Sequence, residues 1–179
     1  MIRDIINDIK IAKDNKAYIS ALALALTLPN ILSNIEYGRS THRSEYIEWF
    51  DKWVFPYYKQ PPSENEYINQ GIENSKFDGV NCYALRCALL HSGNYDLTFN
   101  KGRIHIFSLR VSEDNSHYGD VYMCDATPNP NHIYVSIDVK KLIDSILTGA
   151  QEYIAINEDK IAANNDLFYG YGTLCIEHI

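Results

Sequence analysis

The sequence predicts a mainly α fold, a bundle of about four or five helices with a small antiparallel sheet inserted before the last long helix. Three observations carry this expectation. Apolar residues recur at helical spacing through most of residues 1–95. Between about 103 and 136 the pattern changes to short strand-like runs separated by Asn, Asp, Ser and Pro turns. From 137 to 165 the helical period returns. A chain of 179 residues with 46% hydrophobic and 22% charged residues can build such a core as a single domain.

Ile2, Ile5, Ile6 and Ile9 repeat at three-and-four spacing and predict a short amphipathic opening helix. DNKAYISALALALTLP predicts a second helix, capped by Asp14 or Asn15, apolar on nearly every side and therefore central, and limited by Pro29. In STHRSEYIEWFDKWVFPYY, the residues Tyr46, Ile47, Trp49, Phe50, Trp53 and Val54 form one broad stripe; Thr41 or Ser44 would cap this third helix and Pro56 would stop it. KQPPSENEYINQGIENSKFDG reads as turn and linker with one short helical piece after Pro62. A fourth helix is expected from about Gly79 to His91, with Gly93 and Asn94 suited to a left-handed C-terminal cap. GRIHIFSLRV, YGDVYMCDA and HIYVSI predict three strands. Val139, Leu142, Ile143, Ile146, Leu147, Tyr153 and Ile154 then follow the helical period from a Ser136 or Asp138 cap, and YGTLCIEHI is left as a terminal strand or packed coil.

Composition narrows the function classes. Four cysteines, Cys82, Cys87, Cys124 and Cys175, show no CxxC pair and no zinc-like spacing with histidine, which predicts reduced thiols in a cytoplasmic protein and neither metal nor cofactor. The N-terminus carries acids where a secretory signal needs a positive region, and the apolar run AYISALALALTLP, about 13 residues, is short for a bilayer, so no membrane partner is expected. A net charge of -7 weighs against a large non-specific nucleic-acid binder. Even so, residues 81–111 hold Arg86, Lys101, Arg103 and Arg110 against the single acid Asp96, which leaves room for a local basic face. Trp49, Phe50 and Trp53 have the spacing of core packing, while Tyr57, Tyr58 and Tyr67 fall in linker sequence and would suit an unidentified protein partner.

The stretch VNCYALRCALLHSGN places an arginine, a histidine and two thiols in one apolar helix. On a regular helix His91 lies five residues beyond Arg86 and about 140° round from it, near the helix end. YALRCALLHSGN resembles the arginine-to-histidine motif of the HEPN superfamily, in which an Arg, four to six residues and a His close an inner helix of a small bundle. AYISALALALTLPNI followed by SEYIEWFDKWV is similar to small bacterial proteins with such a helical core. The resemblance covers residues 1–95 and the final helix, and leaves the strand-rich insert to itself. It implies a homodimeric, metal-independent endoribonuclease, or an RNA- or nucleotide-binding protein, with the two motifs meeting across the interface. Arg86 would clamp phosphate with two directed donors, and His91 would act as acid/base because its unperturbed pKa of about 6.5 suits a proton moving near neutral pH. After the arginine, where the family favours a polar residue, this chain has Cys87.

Two other readings stand beside it. In the first, Arg86 pairs with Glu48 or Asp51, His91 hydrogen-bonds near a helix C-terminus, and the chain is a non-catalytic structural or partner-binding domain. In the second, Cys82 near a helix N-terminus, one of His105, His117 or His132 on a later strand, and Asp125 in YMCDATP look like a papain-like or transglutaminase-like hydrolase.

Overall fold

Three isoleucines decide how the chain begins. In the computed structural model, which describes residues 2–38, 40, 42–74, 76–92, 96–99, 103–112, 120–123 and 132–169, helix α1 (Ile2–Asp14) buries Ile2, Ile6 and Ile9 on one face. Residues 71–74, 91, 92, 96–99, 103–105, 120–123, 132, 133 and 165–169 are described by their backbone alone. Lys16, at φ 59, turns the chain back into α2 (Tyr18–Ala25). The sequence reading placed a cap at Asp14 or Asn15 and a stop at Pro29; instead α1 runs through Asp14, and Pro29 sits in the first turn of a further helix, α3 (Leu28–Tyr37). A proline in a first turn forfeits no helical hydrogen bond, so it marks a start as readily as a stop.

Helix α4 (Arg43–Trp53) opens where the His42 amide donates to Glu45 Oε2 at 3.1 Å, and Pro56 again falls in a first turn, that of the short α5 (Phe55–Tyr58). Tyr58 is buried, against its expected linker exposure, whereas Tyr67 of α6 (Glu66–Asn74) is 87% exposed. Helix α7 (Gly79–Cys87) starts at an Asp78 cap whose carboxylate accepts from the Val80 and Asn81 amides, and it runs on into a π turn, Ala88–Ser92. Gly93 and Asn94, the expected cap, lie outside the described residues, as do Cys124, Cys175 and the tail from 170.

The expected antiparallel insert is overturned. Strands β1 (Asp96–Phe99), β2 (Arg103–Arg110), β3 (Asp120–Met123) and β4 (His132–Asp138) form one mixed sheet in the order β1-β2-β4-β3. The outer pairs are antiparallel, but the central pair, β2 and β4, is parallel from Ile104 opposite His132 to Arg110 opposite Asp138. Because β3 occupies the far edge of β4, the chain returns to β2 in the direction it left. Val135, Ser136, Ile137 and Asp138 are buried in succession, the continuous burial of a strand covered on both faces.

Asp138 then joins sheet to bundle. Its Oδ1 accepts from the Lys141 amide at 2.9 Å as the cap of α8 (Val139–Ile156), and its Oδ2 accepts from the Ser112 amide at 3.3 Å just past β2. Helix α8 is the axis of the bundle, packing against α2, α3, α4 and α5 and against the following helix α9 (Glu158–Tyr169). Trp49 and Trp53 of α4 both meet the Tyr153 ring edge-on, at 5.7 and 5.3 Å. The run Tyr18–Tyr37 has, over 20 residues and at a mean hydropathy of 1.4, the length and composition of a membrane-crossing segment. Half of it is buried against the rest of the bundle, the use a core helix makes of the same composition.

Two predictions follow from this packing. A Cβ at Gly149 would overlap the carbonyl of Trp53, so α8 and α4 meet backbone to backbone there. Gly149→Ala should therefore destabilise the protein by about 3 kcal/mol, measured by urea unfolding, because the intruding methyl meets rigid backbone. Glu36 accepts from Tyr153 Oη and Lys160 Nζ, both at 3.0 Å, with Lys52 Nζ at 3.8 Å. Burial opposes its ionisation, but the hydrogen bonds from Lys160 and Tyr153 and the charges of Lys160 and Lys52 outweigh it, leaving the carboxyl below its ordinary value of 4.5. A lowered folded pKa favours the folded state above the ordinary value, and that benefit fades as pH falls through the folded pKa. Glu36→Gln should lower stability by about 1 kcal/mol at pH 7, and the gap in Tm should close in acid.

Candidate functional site

The polar residues of the α7 run are sorted by the face they occupy. Gly79 begins the sorting, because a Cβ there would stand 2.6 Å from the Ile47 carbonyl oxygen, so its absence lets α7 lie directly on α4. The Gly79 amide donates to Asp51 Oδ1 at 2.7 Å. Burial, together with the Asp78 charge, raises the Asp51 carboxyl against that hydrogen bond.

One turn on, Cys82 faces inward and is completely buried. Its Sγ lies 3.5 Å from Tyr46 Oη, and Tyr46 in turn donates to the Leu26 carbonyl at 3.2 Å. Burial first, and then the Asp51 and Asp78 charges, push the Cys82 thiol up to about 12 despite the Tyr46 contact. A thiol so placed is a small core residue, the opposite of the activated nucleophile a hydrolase needs.

Arg86 sits on the rim. Its guanidinium carbon lies 5.9 Å from the centroids of both the Tyr46 and the Tyr83 rings, which meet edge-on at 5.3 Å. Arg43, from the first turn of α4, stands 5.8 Å from the same Tyr83 ring. Both arginines are partly exposed as residues while their Nε atoms are buried. Cys87, also partly exposed, hydrogen-bonds the Tyr83 hydroxyl, whose pKa is raised by burial and by that thiol against the two guanidinium charges. The Tyr83 ring thus has two guanidinium groups within 6 Å of its centroid and a thiol at its hydroxyl.

His91 follows in the π turn. A π turn winds the chain by less than the roughly 100° per residue of an α-helix, so the His91 backbone position lies nearer the Arg86 face than a continued α-helix would bring it. Asp51 holds the Gly79 amide, and Glu48 hydrogen-bonds the Tyr37 hydroxyl. Arg103 and Arg110 stand at opposite ends of β2, roughly 23 Å apart along the strand, so they do not make one patch. Lys101, His117 and Asp125 lie outside the described residues; His105 and His132 are in β2 and β4, where they pair with Leu97 and Ile104. Among the described residues, no group of three His, Cys, Asp or Glu side chains could hold a metal ion.

Sequence reasoning found Arg86 and missed Arg43, Tyr46 and Tyr83 as its companions. The available signal was an Arg and a Tyr three residues apart on each of two helices, Arg43 with Tyr46 and Tyr83 with Arg86, a spacing that puts each pair on one face. Native-state alkylation with iodoacetamide, followed by peptide mass mapping, should label Cys87 and leave Cys82 unlabelled until the protein is unfolded; labelling of Cys82 at the rate of a free thiol would contradict the buried geometry.

No protein-family model matches the chain, and neither a curated protein nor a solved structure matches it.

Proposed function

We propose that the chain is an HEPN-type cytoplasmic protein whose Arg86 contacts a phosphate of RNA or a nucleotide and whose His91 moves a proton there, without a metal. The observation that supports this reading is the partly exposed residue Arg86, whose guanidinium carbon lies 5.9 Å from the Tyr46 and Tyr83 rings, on the helical run that carries His91 in the π turn that follows. In cleavage, His91 takes the proton of a ribose 2′-OH as that oxygen attacks phosphorus, and the bond to the 5′-oxygen breaks as that oxygen is protonated. Arg86 meets the charge gathering on the non-bridging oxygens. A second copy of the chain supplies the second proton-transfer group. Along α7, Val80, Tyr83 and Cys87 form a partly exposed stripe at three-and-four spacing, which suits a two-fold contact between copies.

A second reading has one observation in its favour. Helix α7, which carries Cys82, packs on β1, and β1 pairs with the strand holding His105. A Cys82 hydrolase would need the thiol released from its contact with Tyr46.

One assay separates the readings. With a labelled single-stranded RNA, His91→Ala should abolish cleavage with the fold intact, Arg86→Ala should weaken binding and turnover by at least about tenfold, and a chelator should have no effect. Sedimentation should give a dimer at micromolar concentration. Cleavage untouched by His91→Ala but stopped by thiol alkylation would transfer the function to Cys82. Absence of both binding and turnover would make the chain a structural or partner-binding domain.

A further inference from the structure

We propose that the outer face of α2 and α3 is a contact between copies of this chain, a two-fold packing of that face on itself, separate from the α7 stripe and independent of the Arg86 reading. Residues 17–35 carry no charged side chain. A helical run of that composition needs cover on every side. The bundle covers one side: Ala21, Leu22, Ala25 and Leu28 are fully buried, while Ile19 remains 49% and Leu24 37% exposed. Ala23, Thr27 and Ile31, all partly exposed, continue from Ile19 at four-residue spacing along one face. The line passes from α2 to α3 unbroken, because Leu26 and Thr27 between them are both right-handed helical. The Leu26, Thr27 and Ile31 amides donate to the Leu22, Leu24 and Thr27 carbonyls across that junction.

Charge and shape select the occupant. Each copy carries a net charge of -7, so two copies repel over most of their surface. A two-fold contact sets a patch against itself, so a charged patch meets its own sign near the axis, whereas a charge-free face does not. The same net charge opposes an anionic membrane surface, and residues 17–35 offer it no cation. The line Ile19, Ala23, Thr27, Ile31 runs large, small, small, large, and reads alike in both directions. Antiparallel copies crossing between Ala23 and Thr27 set Ile19 beside the partner's Ile31, with the small residues at the centre, where helix axes can come within about 8 Å. From Ile19 to Ile31 the line is about 18 Å long. A contact of that length and one helix wide belongs with weak, transient interfaces, so it closes above the micromolar range in which the α7 contact forms.

Sedimentation equilibrium of the full chain should show the mass doubling between about 10 and about 500 µM. Leu24→Glu and Ile19→Glu should each remove the doubling, because each sets a carboxylate against an apolar face of its own copy. Added salt should strengthen the association, since screening weakens the repulsion between copies and the contact holds no ion pair to lose. Val80→Glu, on the α7 stripe, should lower the mass at low concentration and leave the doubling in place, so failure of the α7 contact and failure of this one read out separately. Circular dichroism melts at low concentration show whether the variants fold, and if one glutamate variant does not, the other decides. A mass that doubles nowhere in that range, that doubles equally in the glutamate variants, or whose doubling weakens with salt overturns the proposal. A Tm lowered by more than about 6 °C in both glutamate variants means that the face is covered within the chain, and also overturns it. Flotation with phosphatidylcholine vesicles that is lost in Leu24→Glu gives the face to a bilayer, with the same consequence.

Discussion

Helix α4 is held between two backbone-to-backbone crossings, and the position of everything near α7 depends on them. On one side the Trp53 carbonyl lies against Gly149 of α8, and on the other the Ile47 carbonyl lies against Gly79 of α7. Both crossings rely on a missing Cβ, because ridge-into-groove packing of larger side chains would hold the axes some 8–10 Å apart. Helix α8 is the element most helices touch, so α4 inherits its place from the centre of the bundle and passes it on to α7. The Asp51 carboxylate reinforces the outer crossing by accepting from the Gly79 amide, one of the orphan donors of a helix start.

This arrangement explains why Tyr46 is where it is. Tyr46 lies on α4 next to the Ile47 crossing and is completely buried. Its hydroxyl bonds the Leu26 carbonyl, which satisfies a main-chain acceptor at the end of α2. Its ring then offers a flank to Tyr83 and a surface to Arg86. Each cation-to-ring contact near 6 Å contributes only about 0.5–1 kcal/mol at a partly wet site, too little to anchor an arginine alone. What these rings supply is direction: a guanidinium resting on two tyrosines that meet edge-on has few other places to go.

Local pattern made some of this legible and tertiary pairing hid the rest. The isoleucine period of α1, the aromatic stripe of α4 and the leucine–isoleucine period of α8 with its Asp138 cap are all short-range signals, and each element formed where its period lies. Pro29 and Pro56 misled because a proline in the first turn of a new helix looks, in one dimension, like the end of the old one. The parallel pairing of β2 with β4 depends on which edge β3 takes, and no run of residues records that choice. Arg86 was legible as an arginine in an apolar run, which needs a ligand or a structural partner. Arg43 was not, because the ring it shares with Arg86 belongs to a helix 40 residues further along the chain.

The same geometry answers why one apolar run should carry an arginine, a histidine and two thiols. Residues 82 and 87 are five apart, so on a helix the two cysteines cannot share a face, and only Cys82 points at the α4 crossing. Tyr83, Arg86 and Cys87 fall together on the outer side, where charge costs little and a hydroxyl, a thiol and a guanidinium can meet. The α-helix then gives way to a π turn immediately after Cys87. Such turns wind the chain by less per residue than an α-helix. The backbone of His91 therefore comes round nearer the Arg86 side of the run than a continued α-helix would bring it.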